Sequence, residues 1–226
     1  MRSTCILLFV KVPQPGRVKT RLAATIGSEH AVALYQCFVQ DILTTLHLEP
    51  TWDLLIFYAP AEAEPVRWLG DQYHYVAQQG QDLGERMAHG FRYTFGLGYR
   101  NALILGSDSP DLPWTHLQQA KQALTAEQIV IGPSQDGGYY TLGFTHRNFT
   151  PAVFANIPWS TAAVFAETWD RLAAQSCPVL VLPPWFDIDT LADLRQFYHR
   201  VQRAPNLTHS QTCRYLDQCP HVLTGA

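Results

Sequence analysis

Short, nearly continuous apolar runs recur along the chain and alternate with longer stretches whose apolar positions fall at helical spacing. The runs cover residues 5–12, 52–58, 74–77, 102–106, 128–132, 139–144 and 178–182. Runs of this length with little polar interruption predict strands buried on both faces, as in a parallel sheet. The amphipathic stretches predict helices over 30–46, 83–95, 115–124, 162–174 and 191–201, with Thr115 and Gln118 reading as a capping box. Strand–helix alternation implies right-handed βαβ units. The expected fold is therefore α/β, with a mostly parallel central sheet and helices on both faces. From about Arg203 the chain turns polar and loses its period, so residues 1–202 are expected to form one domain and 203–226 a polar surface appendage.

In such a sheet, ligands sit beside the loops that follow the strands, and four loops carry chemistry. After the first run, Lys11, Arg17, Lys19 and Arg21 gather around Gly16, with Thr20 among them. Gly16 lets a ligand approach the backbone, and a helix beginning near Lys19 would point its positive end at a phosphate. The frame is not a Walker A loop, because Val18 precedes the lysine. A solvated basic turn is the competing reading. After the fourth run, Gly106-Ser-Asp108-Ser-Pro-Asp111 offers Asp108 as a ligand for a hard cation, with Asp111 as a candidate helix cap; the segment also suits an ordinary turn. Asp136, Gly137, Gly138 and Tyr139 form a glycine-rich entry to a strand, which fits a substrate contact or a tight hairpin. Asp187 and Asp189 alternate, so an extended backbone points both carboxylates the same way as the second half of a metal site. One of them could instead cap the following helix, as could Thr190.

Two further segments are weaker signals. Gly80, Asp82, Gly84 and Arg86 precede a helix and suit a base, an acceptor or a plain helix start. Trp159 and Ser160 count as candidate substrate contacts, against Ser160 or Thr161 as an N-cap. The histidines show no ligand spacing and no G-x-S-x-G elbow occurs, which sets zinc and hydrolase-triad chemistry aside.

Composition narrows the partners. A net charge of −3 argues against a general nucleic-acid binder. Five cysteines without a C-x-x-C pair fit a reducing compartment. The first apolar run is too short for a membrane span and no signal-peptide pattern follows it, so a cytoplasmic protein with no membrane partner is expected. The N-x-T sequons at Asn148 and Asn206 are then chance matches.

Taken in order, K-x-x-x-P-G-x-x-K-T-R-L, Q-G-x-D-L-G-x-R-M, G-S-D-S-P-D-L, D-G-G-Y-Y-x-L-G, P-W-S-T and D-I-D-T-x-x-D-L cover residues 4–197. This series resembles the glycosyltransferase-like GT-A family of bacterial nucleotide-diphospho-sugar transferases, the radical-SAM/selenodomain-associated transferase type. That family is similar to phospholactate guanylyltransferases. The resemblance implies a single-domain Rossmann-like GT-A fold with nucleotide at Lys11–Arg21, and magnesium or manganese at Asp108, Asp187 and Asp189. The reaction expected is transfer from a nucleotide-activated donor to a small-molecule acceptor, with Asp108, Lys19 and Arg21 stabilising charge on the leaving phosphate. An NDP-sugar donor and an NTP donor that releases pyrophosphate both remain open, and a non-enzymatic nucleotide-binding module is the third reading.

Overall fold

The computed structural model describes residues 2–48, 51–204 and 210–225, and excludes the side chain of Arg2. Asn206 lies outside these residues. Seven strands form one sheet: β1 (Arg2–Lys11), β2 (Asp53–Ala59), β3 (His74–Ala77), β4 (Tyr99–Leu105), β5 (Ile129–Pro133), β6 (Tyr139–Thr145) and β7 (Val179–Val181). Each coincides with an apolar run. Among the described residues the α-helices are α1 (Thr20–Ile26), α2 (Ser28–Leu46), α3 (Val66–Leu69), α4 (Leu83–Gly96), α5 (Trp114–Thr125), α6 (Val164–Ala173), α7 (Leu191–Val201) and α8 (Gln211–Gln218).

The sheet order is β3-β2-β1-β4-β6-β5-β7. β6 alone runs against its neighbours, pairing antiparallel with β4 and β5, while the other pairings are parallel. β5 and β6 are joined by the glycine turn at 134–138, which forms a tight hairpin: Ser134 N–H donates to the Gly138 carbonyl at 3.0 Å.

The described residues fall into two compact units. The first lies within Met1–Val12, Glu49–Gly106 and Pro113–Trp185, and contains the sheet with α3, α4, α5 and α6. Helices cover both faces of its sheet. On one face, α4 approaches β1 so closely that a Cβ at Gly90 would stand 3.1 Å from Phe9 and 3.2 Å from Leu7. Phe9 stacks on Phe57, and Phe91 meets Phe144 edge-on at 5.0 Å. On the other face, a Cβ at Gly143 would meet Leu103 of β4 and Leu124 of α5.

The second unit lies within Pro13–Leu48, Ser107–Leu112 and Phe186–Ala226. Here α2 packs against α1 and α8, and α1 against α7. The core stripe of α2 is Ala31, Leu34, Tyr35, Phe38, Ile42 and Leu46, a period close to 3.6. Within the stretch expected to be a polar surface appendage, residues 210–225 carry a packed helix. α8 buries Thr212, Cys213 and Leu216, and Asp41 of α2 accepts hydrogen bonds from the N–H groups of Gln211 and Thr212 at 2.6 and 3.0 Å. A carboxylate at the start of a helix satisfies donors that have no intrahelical partner.

Two expected caps are corrected. α5 starts one residue earlier than the proposed box, with Pro113 at its N-cap and no side-chain cap bond, because proline already sets the entry dihedral. α6 starts at Val164 with Ala163 as its N-cap. Thr161 instead donates to the Pro158 carbonyl at 2.8 Å and accepts from Ala163 N–H, closing a turn ahead of the helix. The five cysteines are free thiols, and among the described residues no helix is long and apolar enough to cross a membrane.

Candidate active site

The second unit brings three of the sequence-picked residues onto one another. Lys19 is the N-cap of α1 and adopts a left-handed backbone, φ 46° and ψ 46°. That conformation is strained for a side chain other than glycine. Its side chain is 3% exposed, and its ammonium pairs with Asp108 Oδ1 and, at 3.0 Å, with Asp189 Oδ1. The carboxylates are 44% and 41% exposed, so the cation lies inside and its two partners stand toward solvent. The Phe38 ring is the apolar wall, with its centroid 5.8 Å from Nζ. Burial alone would pull the lysine down, but the charges of Asp108 and then Asp189 outweigh it and hold the ammonium above its ordinary value.

Neighbouring bonds fix both carboxylate loops. Ile188 N–H donates to the Asp108 carbonyl at 3.0 Å, joining the loops through their backbones. Ser107 Oγ shares a 2.9 Å hydrogen bond with the Tyr35 hydroxyl, and Ser109 Oγ donates to Asp187 at 2.7 Å. Downstream, Thr190 and Asp193 form a full capping box on α7. Asp193 also accepts from Asp189 N–H at 3.1 Å, so the helix start sets the position of Asp189. Thr190 as cap is one of the alternatives the sequence offered.

Asp111 does not cap α5. Its carboxylate is 1% exposed and pairs with Arg200 Nε at 2.6 Å, while the guanidinium lies over the Phe186 ring. Sequence reasoning missed Arg200, Ser107, Ser109 and Tyr35, because each acts on a residue far away along the chain. Among the described residues, no three His, Cys, Asp or Glu side chains gather closely enough to hold a metal by themselves. Asp108 and Asp189 converge on Lys19, and Asp187 accepts from Ser109.

In the basic loop, Gly16 has φ 75° with open space where a Cβ would stand, so the dihedral and not crowding requires glycine there. Arg17, Thr20 and Arg21 are exposed, and among the described residues neither arginine takes part in an ion pair. α1 has only seven residues. The expected contribution of a helix dipole is small at that length, and the positive charge of this loop comes from side chains.

The remaining candidates belong to the first unit. Lys11 is the exposed last residue of β1. Asp82 caps α4 by accepting from Glu85 N–H at 2.8 Å, and Arg86 Nε donates to the Gly80 carbonyl at 3.1 Å. A Cβ at Gly84 would stand 2.6 Å from the Trp159 ring, so that glycine makes room for the half-buried indole. Asp136 accepts from Gly138 N–H at 2.9 Å and from Ser134 Oγ. Gly137 has φ 90°, and a Cβ there would collide with the Ala162 carbonyl oxygen. The Tyr139 hydroxyl turns to Met87 Sδ at 3.8 Å, and burial pushes its phenol up. Ser160 is exposed in a left-handed conformation, φ 65°.

Residues 42–161 match the family model described as an uncharacterized protein conserved in bacteria, DUF2064. A crystal structure from Desulfovibrio desulfuricans G20, which carries the provisional name of nucleotide-diphospho-sugar transferase, is 40% identical. It aligns over 98% of this chain and 96% of its own, with a TM-score of 0.92. Two more distant structures share the fold. A CMP:2-keto-3-deoxy-manno-octonic acid synthetase complexed with CTP has a TM-score of 0.53 at 10% identity, covering 89% of this chain and 99% of its own. The 4-diphosphocytidyl-2C-methyl-D-erythritol synthase of Anaerococcus prevotii DSM 20548 has a TM-score of 0.56 at 9% identity over the same shares. No curated protein matches the chain.

Proposed function

The chain belongs to the bacterial DUF2064 family, and on that premise we propose that it is a divalent-cation-dependent transferase that uses a nucleotide-activated donor. The observation that carries this reading is Lys19, buried between Asp108 and Asp189 and flanked by the exposed Arg17 and Arg21. Two exposed carboxylate side chains suit magnesium or manganese when phosphate oxygens and water complete the shell. Asp108 and Asp189 would hold the ion, which would supply neutralisation of charge on the departing phosphate. Arg17 and Arg21 bind phosphate oxygens, and Gly16 lets the ligand close on the backbone. Lys19 keeps the two carboxylates oriented and adds fixed positive charge close to the leaving group.

A glycosyl transfer is the first form of this reaction: the acceptor attacks sugar C1 and the nucleoside diphosphate leaves. The provisional name of the Desulfovibrio relative favours it. Nucleotidyl transfer is the second: the acceptor attacks the α-phosphorus and pyrophosphate leaves, as in the phospholactate guanylyltransferases that the sequence resembles. Two exposed arginines beside a buried lysine suit a triphosphate, and the fold is shared with a synthetase complexed with CTP. A panel of NTPs and NDP-sugars with magnesium tests both, read by thermal shift and by release of NDP or pyrophosphate. Stabilisation with NDP release supports the first form and pyrophosphate release the second. A panel in which no nucleotide stabilises the fold at millimolar concentration overturns both.

A further inference from the structure

We propose that Lys19 is a resident counter-ion that occupies the charge position of the divalent cation, so that metal and nucleotide enter together and neither binds well alone. This deepens the functional reading above and rests on it. Both Oδ1 atoms that would ligate the ion already face the Lys19 ammonium. That ammonium is on the inner side of the pair, with a side chain 3% exposed and the Phe38 ring behind it. A divalent ion arriving on the same oxygens meets a fixed positive charge within one ligand's reach. Like charges at such separations in a poorly hydrated place repel strongly. The lysine backbone is tied to the start of α1, its carbonyl accepting from Ala23 N–H at 2.7 Å. A metal alone therefore loses affinity to the ammonium it crowds, and a polyphosphate supplies the negative charge that lets both cations stay. By linkage, the metal raises nucleotide affinity by the same factor.

The opposite arrangement is a metal site standing ready, with lysine serving phosphate only. Titration of Mn2+ into nucleotide-free protein, followed by electron paramagnetic resonance of the free ion, separates the two. Wild type should bind Mn2+ weakly, and Lys19→Met should bind it at least about ten-fold more tightly, within the usual span of such couplings. Adding Asp189→Asn to Lys19→Met should remove the gain. Lys19→Gln, which can still hydrogen-bond both carboxylates, should give the same sign and guards against misfolding of the methionine variant. Equal affinity in wild type and both Lys19 variants overturns the counter-ion role and leaves the metal-dependent transferase reading intact. Mn2+ bound by none of the nucleotide-free proteins overturns this proposal, and the metal part of that reading falls with it only if added nucleotide also brings no Mn2+ onto the wild type.

Discussion

Asp136 and Asp189 both sit in loops that follow strands, yet the structure uses them in opposite ways. Asp136 spends its carboxylate locally, on Gly138 N–H and Ser134 Oγ within its own hairpin. Asp189 has its backbone held by Asp193 and its carboxylate left for Lys19, 170 residues away in sequence. Asp108 is arranged in the same manner, its backbone carbonyl taken by Ile188 and its side chain directed to the same ammonium. Where a neighbour satisfies the backbone, the carboxylate is available for chemistry. Where the carboxylate itself satisfies the backbone, the residue is architectural.

Asp108→Asn makes the sharpest break in this contrast. It should remove the stabilisation by magnesium and nucleotide and lower transfer by about 10²–10³-fold, the usual loss for one electrostatic partner of a transition state. Leaving Lys19 with one carboxylate also destabilises the fold, by less than the ~3–5 kcal/mol of a fully buried pair because the carboxylates are exposed. Thermal melts with and without ligand, beside initial rates, check both parts. Gly137→Ala tests the other side. The added Cβ would collide with Ala162 and take a positive φ, costing about 2–3 kcal/mol in chemical denaturation while the ligand-induced shift of the folded protein persists. Loss of that shift would move the hairpin from architecture into the binding site.

Smaller still is Asp136→Ala. It removes a turn bond to Gly138 N–H and should cost about 1 kcal/mol, with Mg-nucleotide stabilisation unchanged. A change in ligand response as large as that of Asp108→Asn would erase the distinction between the two loops.

The same distinction explains what the sequence made legible. All seven strands could be placed because strands buried on both faces are written as unbroken apolar runs, as in Ile6, Leu7, Leu8, Phe9 and Val10 of β1. Strand direction is not written that way: the reversal of β6 follows from the short turn at Gly137 and Gly138, which read equally well as a ligand loop. The α8 helix escaped notice because its buried stripe is only Thr212, Cys213 and Leu216 in polar surroundings, too short for a period to show. The candidate cations and carboxylates could be picked by residue type. Their pairing could not, since Lys19–Asp189 and Asp111–Arg200 join segments 170 and 89 residues apart. Nothing local told Asp111, a buried partner of Arg200, from Asp108, an exposed partner of Lys19.

Titration separates the two regions by the limb of the pH curve that each controls. Lys19 is raised, so its contribution is complete below the unfolded lysine value of about 10.4 and is lost only as pH climbs through the folded value. In the first unit, burial lowers His116, and burial followed by the charge of Arg92 lowers His89. His116 shares a 3.1 Å hydrogen bond with the Tyr140 hydroxyl and lies edge-on to Trp185, a setting that favours the neutral ring. A histidine lowered on folding contributes stability above its unfolded value of about 6.5 and loses it as pH falls through the folded one. Denaturant melts run from pH 5 up to about pH 12 should therefore show an acid-side decline that His116→Gln makes shallower, with the alkaline limb above about pH 10.4 unchanged. Lys19→Met should do the reverse, altering the alkaline limb alone among these two effects. A His116→Gln curve parallel to wild type below about pH 6.5 would show that the imidazole stays protonated in the fold, and that Tyr140 is held by a charged partner.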